Sequence, residues 1–274
     1  MNKYRKIATV FLVFLFCFST GKYLLQLHNN SVADESYSHA VALASASAPA
    51  QTDPETLSAP SEKEETAQAL YLPAAVEGDP HLEELRKLDL NALQQINPDV
   101  IGWIHLPDTS INYPIVQGQD NEQYLETTWD GTKNPSGSIF LEMLNKQDMT
   151  EFHTILYGHN MINNTMFAPI REFHTLEHWQ KHPYVYLFTE TGVLRYEIYA
   201  AYQADVEADT YKVGMQQDRT KQKFIDFTLE QSVIDTGIMP AVTDRILTLS
   251  TCSGMGYSTR WVVHARLPMA KVPA

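Results

Sequence analysis

Cys252 closes an apolar, β-branched run, Ile246-Leu247-Thr248-Leu249-Ser250-Thr251-Cys252, and Arg260 opens another, Arg260-Trp261-Val262-Val263-His264-Ala265-Arg266-Leu267. Both runs have the composition of strands. The segment between them, 253–259, carries Gly254 and Gly256, which can turn the chain back. A thiol at the end of one strand and a guanidinium at the start of the next would face each other across a small gap. That arrangement suits acyl transfer. The thiolate is the nucleophile, and a neighbouring cation favours it over the thiol. Arginine stays charged at any working pH and donates several hydrogen bonds, so it can hold an oxyanion or a substrate carbonyl. The plainer alternative is a buried cysteine beside a surface arginine, because a free cysteine is often a small core hydrophobe.

An acyl transfer also needs an acid/base. The chain has 10 histidines, so most are false candidates. His159 follows a strand-like run, Thr154-Ile155-Leu156-Tyr157, and a glycine; it sits where a loop can meet a site, and it is the candidate acid/base. His174, His178 and His182 recur every four residues and could line one helical face. With Pro183 at the helix end and no cysteine or acidic ligand clearly placed, they read as a solvated face and not a metal site. His264 lies inside a strand and reads as packed or hydrogen-bonded, and His105 and His153 carry no local signal. Strand alternation puts Arg260, Val262, His264 and Arg266 on one face of the last strand, and Ser250 with Cys252 on one face of the strand before it.

The elements that must position these residues begin with an N-terminal segment. Lys3, Arg5 and Lys6 precede an almost wholly apolar run from Ile7 to Phe18, with Tyr23-Leu24-Leu25 after Lys22. Positive charge before an apolar run marks a targeting segment. Ser19-Thr20-Gly21 is a passable cleavage site, but residues 1–28 read better as a retained membrane anchor with Lys22 snorkelling. Residues 29–78, rich in Ala and Ser with Pro49, Pro54, Pro60 and a Glu cluster, read as a disordered extracytoplasmic linker. Residues 79–274 form the folded domain, placed outside the membrane. The net charge of -13 argues against nucleic-acid binding, which wants a basic patch. The 2 cysteines, Cys17 in the apolar run and Cys252 in the domain, would be kept apart by the membrane, so no disulfide is expected.

Within the domain, apolar residues at helical spacing from Leu82 to Ile96 predict a helix that starts at Asp79-Pro80 and stops at Asn97-Pro98. Strands are predicted over 100–106, 111–116, 138–141 and 154–157. A polar helix-like stretch is expected over 120–128 and a helix over 166–180. A hairpin is expected from 184–188 and 193–202, followed by a helix over about 217–231. Many short strands separated by turn signals suggest an antiparallel barrel.

Three of these segments carry a resemblance. Thr248-Leu249-Ser250-Thr251-Cys252 resembles the TLxTC signature of the sortases, the cysteine transpeptidases of Gram-positive surfaces. Tyr157-Gly158-His159-Asn160-Met161 is similar to their catalytic-histidine loop, and Arg260-Trp261-Val262-Val263 to their arginine strand. The stretch 99–116 with Ser138-Ile139-Phe140-Leu141 resembles class B sortases in particular, and the likeness covers roughly 80–268. It implies a mainly β fold: a closed eight-stranded barrel with an N-terminal helix and a helix in the loop preceding the cysteine strand. It implies that Cys252 attacks a backbone carbonyl in a C-terminal sorting motif of a secreted protein. His159 would protonate the leaving amine, and Arg260 would hold the substrate and the oxyanion with the backbone N–H of Ser253. Ser250 and Ser253 are then candidate substrate contacts. An amine of a cell-wall precursor would resolve the thioacyl-enzyme, and no metal or cofactor is implied. The 253–259 loop has no acidic residue, so a catalytic carboxylate there is not available. The alternatives are a pilus-assembling sortase that uses a pilin lysine, a cysteine hydrolase, and a non-enzymatic surface-binding module.

Overall fold

The computed structural model describes residues 3–46, 71–74, 76–252 and 258–271, with residues 3–10, Tyr71 and Cys252 described by their backbone alone. The first element is a helix of 44 residues, α1 (Lys3–Ala46), about 66 Å long at the α-helical rise. Its two halves differ. Phe11, Phe14, Phe16, Leu24 and Leu25 are exposed, whereas Ala33, Tyr37, Ala40 and Ala44 are buried. The buried set recurs at spacings of four and three, which makes one stripe along the helix.

This corrects the linker expected over 29–78. Residues 29–46 are helical and packed, and Tyr71–Pro73 form strand β1. The rest of the expected linker through residue 70, and residue 75, lies outside the described residues. The physical reason is that small side chains serve two purposes. An Ala/Ser-rich run has little to bury by itself, but Ala40 and Ala44, both 0% exposed, let a helix lie close against another surface.

The helix expected from Asp79 to Asn97 is two short ones, α2 (Pro80–Leu85) and α3 (Leu90–Gln94). Asp79 caps the first, its carboxylate accepting from His81 N at 3.0 Å, with Pro80 in the first turn. Asp89 starts the second by accepting from the backbone of Asn91 and Ala92. A side chain that satisfies orphan amides restarts the helix at a new angle, and Leu82, Leu85, Leu90 and Leu93 stay buried.

Eight strands then close a barrel: β2 (Val100–His105), β3 (Asn112–Val116), β4 (Ile139–Leu141), β5 (His153–His159), β6 (Tyr184–Thr189), β7 (Gly192–Asp205), β8 (Arg245–Cys252) and β9 (Thr259–Leu267). The spatial order is β2-β3-β4-β5-β8-β9-β7-β6. A separate ribbon pairs β1 with β10 (Met269–Lys271). The barrel is mixed and not wholly antiparallel, since β3 pairs parallel with β4 and β5 with β8. Local turn signals do not report such pairs, because a parallel partner is reached only through a long crossover.

Two other expectations change in detail. Residues 120–128 form turns and not a helix, with Asp120 Oδ1 accepting from Glu122 N and Gln123 N. The helix expected over 166–180 divides into a 3-10 turn, Ala168–His174, and α4 (Leu176–Lys181), which Thr175 caps. The helix before the cysteine strand is α5 (Asp218–Gln231). The barrel interior packs Ile104, Leu156, Leu249 and Val263. On the outer side, Tyr199, Ala200 and Ile246 pack with Phe224 of α5, and Tyr202, Ala204 and Val262 pack with Tyr211 and Phe227.

Candidate active site

The parallel pairing of β5 with β8 runs in register from His153↔Ile246 through Tyr157↔Ser250 and Gly158↔Thr251 to His159↔Cys252. Paired residues share a face of the sheet, so alternation carries His159, Cys252, Tyr157 and Ser250 onto one side. On the other flank of β8, Ser250 pairs with Val262 of β9. Two residues further on, by the same alternation, Cys252 and Arg260 stand on that same side. Trp261 N, between them in register, donates to Thr251 Oγ1 at 3.1 Å, and Arg260 pairs with Ala204 of β7. Three adjacent strands thus end together and bring His159, Cys252 and Arg260 to one end of the barrel. Ser253, and the backbone N–H expected of it, lies outside the described residues, as does the Cys252 side chain.

The turn after His159 is closed by Phe167 N donating to His159 O at 2.9 Å. Gly158 is the residue that permits this: a Cβ there would come 2.5 Å from Ile139 Cδ1 and 2.8 Å from the Phe167 ring. The imidazole is half-buried, and its Nε2–H donates to the Leu125 carbonyl at 2.6 Å. Burial pulls the His159 pKa below the ordinary histidine range, and the Arg260 charge acts the same way. The Leu125 carbonyl and the Glu126 carboxylate act against them without prevailing. The neutral imidazole therefore dominates at neutral pH. Arg260 is half-buried and donates from Nη1 to Thr259 O at 3.1 Å.

Ser250 is placed beside the pair but does not face solvent. It is fully buried, and its Oγ is hydrogen-bonded to the Tyr211 hydroxyl at 3.1 Å. Tyr211 in turn stacks on Tyr157, ring centroids 6.4 Å apart, and Tyr157 donates to Glu142 Oε2 at 2.9 Å. These two rings form a wall beside the strand ends that residue-type reasoning did not assign. Tyr157 was findable, since it stands two residues before His159 on the same face. Tyr211 carries no local signal, nor does Leu125, whose contribution is a backbone atom.

Farther along the same face lies a buried chain of polar groups. His153 Nδ1–H donates to Lys212 O at 2.6 Å, and its Nε2 accepts from Thr248 Oγ1 at 2.7 Å. Thr248 Oγ1 accepts from His264 Nδ1–H at 2.8 Å, and His264 Nε2 accepts from Tyr202 O–H at 3.0 Å. Tyr202 is bonded to Thr210 Oγ1 at 2.9 Å. The carbonyl at one end fixes His153 Nδ1 as a donor, and with both imidazoles neutral every donor along the chain meets an acceptor. Burial lowers both pKa values, that of His153 to about 4. The chain fastens the 206–215 segment to the sheet beneath it.

The His174, His178 and His182 stripe does not converge. His178 meets Phe173 edge-on and lies tilted at 43° against His182, and His182 Nδ1 donates to Pro107 O. Among the described residues no three His, Cys, Asp or Glu side chains stand close enough to hold a metal ion.

Comparison with known proteins agrees with this architecture. Residues 104–268 match the sortase domain family model. The chain is similar to Sortase B of Staphylococcus aureus, 34% identical over 189 residues, spanning 68% of this chain and 77% of that protein. It is similar to Sortase B of Listeria monocytogenes, 34% identical over 167 residues, spanning 60% and 67%. Its fold superimposes on the Staphylococcus aureus sortase B-substrate complex with a TM-score of 0.62 and 32% identity, covering 71% of this chain and 86% of that one. With the mixed eight-stranded barrel, the strand-end residues and a family match over more than half its length, this chain belongs to the sortase family of cysteine transpeptidases and is of the sortase B kind.

Proposed function

We propose that this chain is a membrane-anchored sortase that joins secreted proteins to an amine of a cell-wall precursor. Cys252 is the nucleophile: its sulfur adds to a backbone carbonyl within a C-terminal sorting motif, and the C–N bond then breaks. His159 gives its proton to the departing amine. Arg260 holds the carbonyl oxygen as charge develops on it. The thioacyl-enzyme is resolved when an acceptor amine attacks the same carbonyl and loses its proton to His159, which restores the imidazolium and releases Cys252 as the thiolate. Tyr157 and Tyr211 form a wall of the peptide groove, and Ser250 supports that wall from beneath.

The observation that carries this reading is the register His159↔Cys252 beside the start of β9, within a fold shared with a sortase B solved in complex with substrate. Anchoring is supported by the exposed apolar half of α1, the one helix among the described residues long and apolar enough to cross a membrane. With Lys3, Arg5 and Lys6 on the cytoplasmic side, the barrel lies outside the cell.

The test is intact-mass analysis of the purified chain mixed with sorting-motif peptides, followed by glycine-peptide or lysine-peptide acceptors. The expected result is an acyl adduct on Cys252 that passes to the glycine acceptor and is absent from Cys252→Ala. Transfer to the lysine peptide alone would give pilus assembly instead. Hydrolysis that ignores added amine would overturn transpeptidation. Adduct formation in His159→Gln at the unchanged rate would overturn the role of the imidazole.

A further inference from the structure

The loop of residues 124–138 supplies the Leu125 carbonyl that receives His159 Nε2–H. A carbonyl has no proton to give, so this bond selects the Nε2–H tautomer and leaves the Nδ1 lone pair as the atom that exchanges a proton. Elsewhere a carboxylate often orients such an imidazole. Here residues 253–259 contain no acidic side chain, and the backbone oxygen takes that position.

What holds the oxygen in place is Gly137. Its φ is +57°, and a Cβ there would run into the Leu125 carbonyl oxygen and lie 2.7 Å from that of Tyr124. Only glycine allows the two backbone stretches to lie this close. The Gly137 carbonyl in turn accepts from the Tyr37 hydroxyl of α1 at 2.5 Å. Tyr37 is buried and packs edge-on against Tyr113, centroids 5.0 Å apart. Three more hydrogen bonds tie this loop to α1: Trp129 Nε1 to Ser36 O, Ser36 Oγ to Asp130 Oδ2, and Asn134 Nδ2 to Asn29 O, at 3.1, 2.8 and 2.9 Å.

We propose that α1 is a working part of the catalytic centre: Tyr37 and Gly137 are positioning residues that set the tautomer and ring plane of His159 through the Leu125 carbonyl. The inference rests on His159 being the acid/base of the proposed function. The helix read as the membrane anchor thereby also completes the site, and the enzyme reaches full activity only with α1 docked.

The experiment uses the full chain in detergent micelles and two variants, Tyr37→Phe and Gly137→Ala. Tyr37→Phe keeps the ring packing and removes one hydrogen bond. The His159 ring tautomer is read by nitrogen-15 NMR, and acylation is followed with a peptide that the wild type accepts. The wild type is expected to hold the Nε2–H form. In Gly137→Ala the tautomers mix, and kcat for acylation falls about 10- to 100-fold with KM unchanged, as a displaced catalytic group requires. Tyr37→Phe moves both readouts in the same direction by a smaller factor. If Gly137→Ala does not fold, Tyr37→Phe decides alone. An Nδ1–H form in the wild type, or folded variants with unchanged tautomer and kcat, would overturn the proposal. If no peptide acylates the wild type while the tautomer is Nε2–H and shifts in the variants, the positioning stands and the proposed reaction falls.

Discussion

At the scale of single residues, the proposed reaction depends on the protonation of one half-buried imidazole. Burial and the Arg260 charge hold the His159 pKa below the ordinary histidine range. The cation is then a minor form at neutral pH, so in the proposed reaction the imidazolium–thiolate pair is a small fraction of the enzyme. A bell-shaped pH–rate profile for acylation is expected, with its acid limb below about pH 6.5. Glu126 favours the imidazolium electrostatically, so Glu126→Gln should move that limb to still lower pH. A profile without two opposed limbs, or a limb that moves upward in Glu126→Gln, would contradict this account. Gly158 sets a steric condition at the same place. A Cβ there meets Ile139 and Phe167 at distances no side chain tolerates, so Gly158→Ala should cost about 1–3 kcal/mol by overpacking, measured by chemical denaturation. It should also slow acylation, because the strand end that carries His159 must shift.

At the scale of elements, the connection from β7 to β8 is held down by neutral histidines. The folded pKa of His153 is about 4 against an ordinary 6.5, and His264 is lowered too. Below pH 6.5 the unfolded chain therefore binds more protons than the folded one, and stability falls with pH. It should be complete above about pH 6.5 and decline towards pH 4, by about 3 kcal/mol for His153 alone. Urea unfolding at a series of pH values measures this, and a flat profile over that window would refute it. Thr248→Val removes the hydroxyl that both imidazoles share. With two buried nitrogens left unpaired, a loss of about 3 kcal/mol is expected at pH 7. Because Tyr211 adjoins this segment and touches Ser250, a raised KM for peptide should accompany the loss.

At the scale of the whole molecule, one long helix joins an exposed apolar half to a half docked on the barrel. Hydrogen exchange should report its two halves differently. Amides of residues 29–46, packed through Tyr37, Ala40 and Ala44, should be protected with or without lipid, whereas those of residues 11–27 should gain protection only in a bilayer. Equal exchange along the helix without lipid would contradict the docked arrangement. By itself the sequence determined the local matters. These are a thiol closing one strand and a guanidinium opening the next, a histidine on a glycine-led strand end, the N-terminal apolar run and the helix before the cysteine strand. Each depends on residue type and short-range periodicity, which are legible without neighbours. The tertiary structure alone decided that β5 and β8 pair in parallel and so set His159 against Cys252. It also decided that an Ala/Ser-rich run expected to be a linker docks as a helix, that Ser250 lies under Tyr211, and that a backbone carbonyl at Leu125 receives the histidine. These arrangements join residues far apart in the chain, and backbone atoms and small side chains carry no local mark of the surface they will meet.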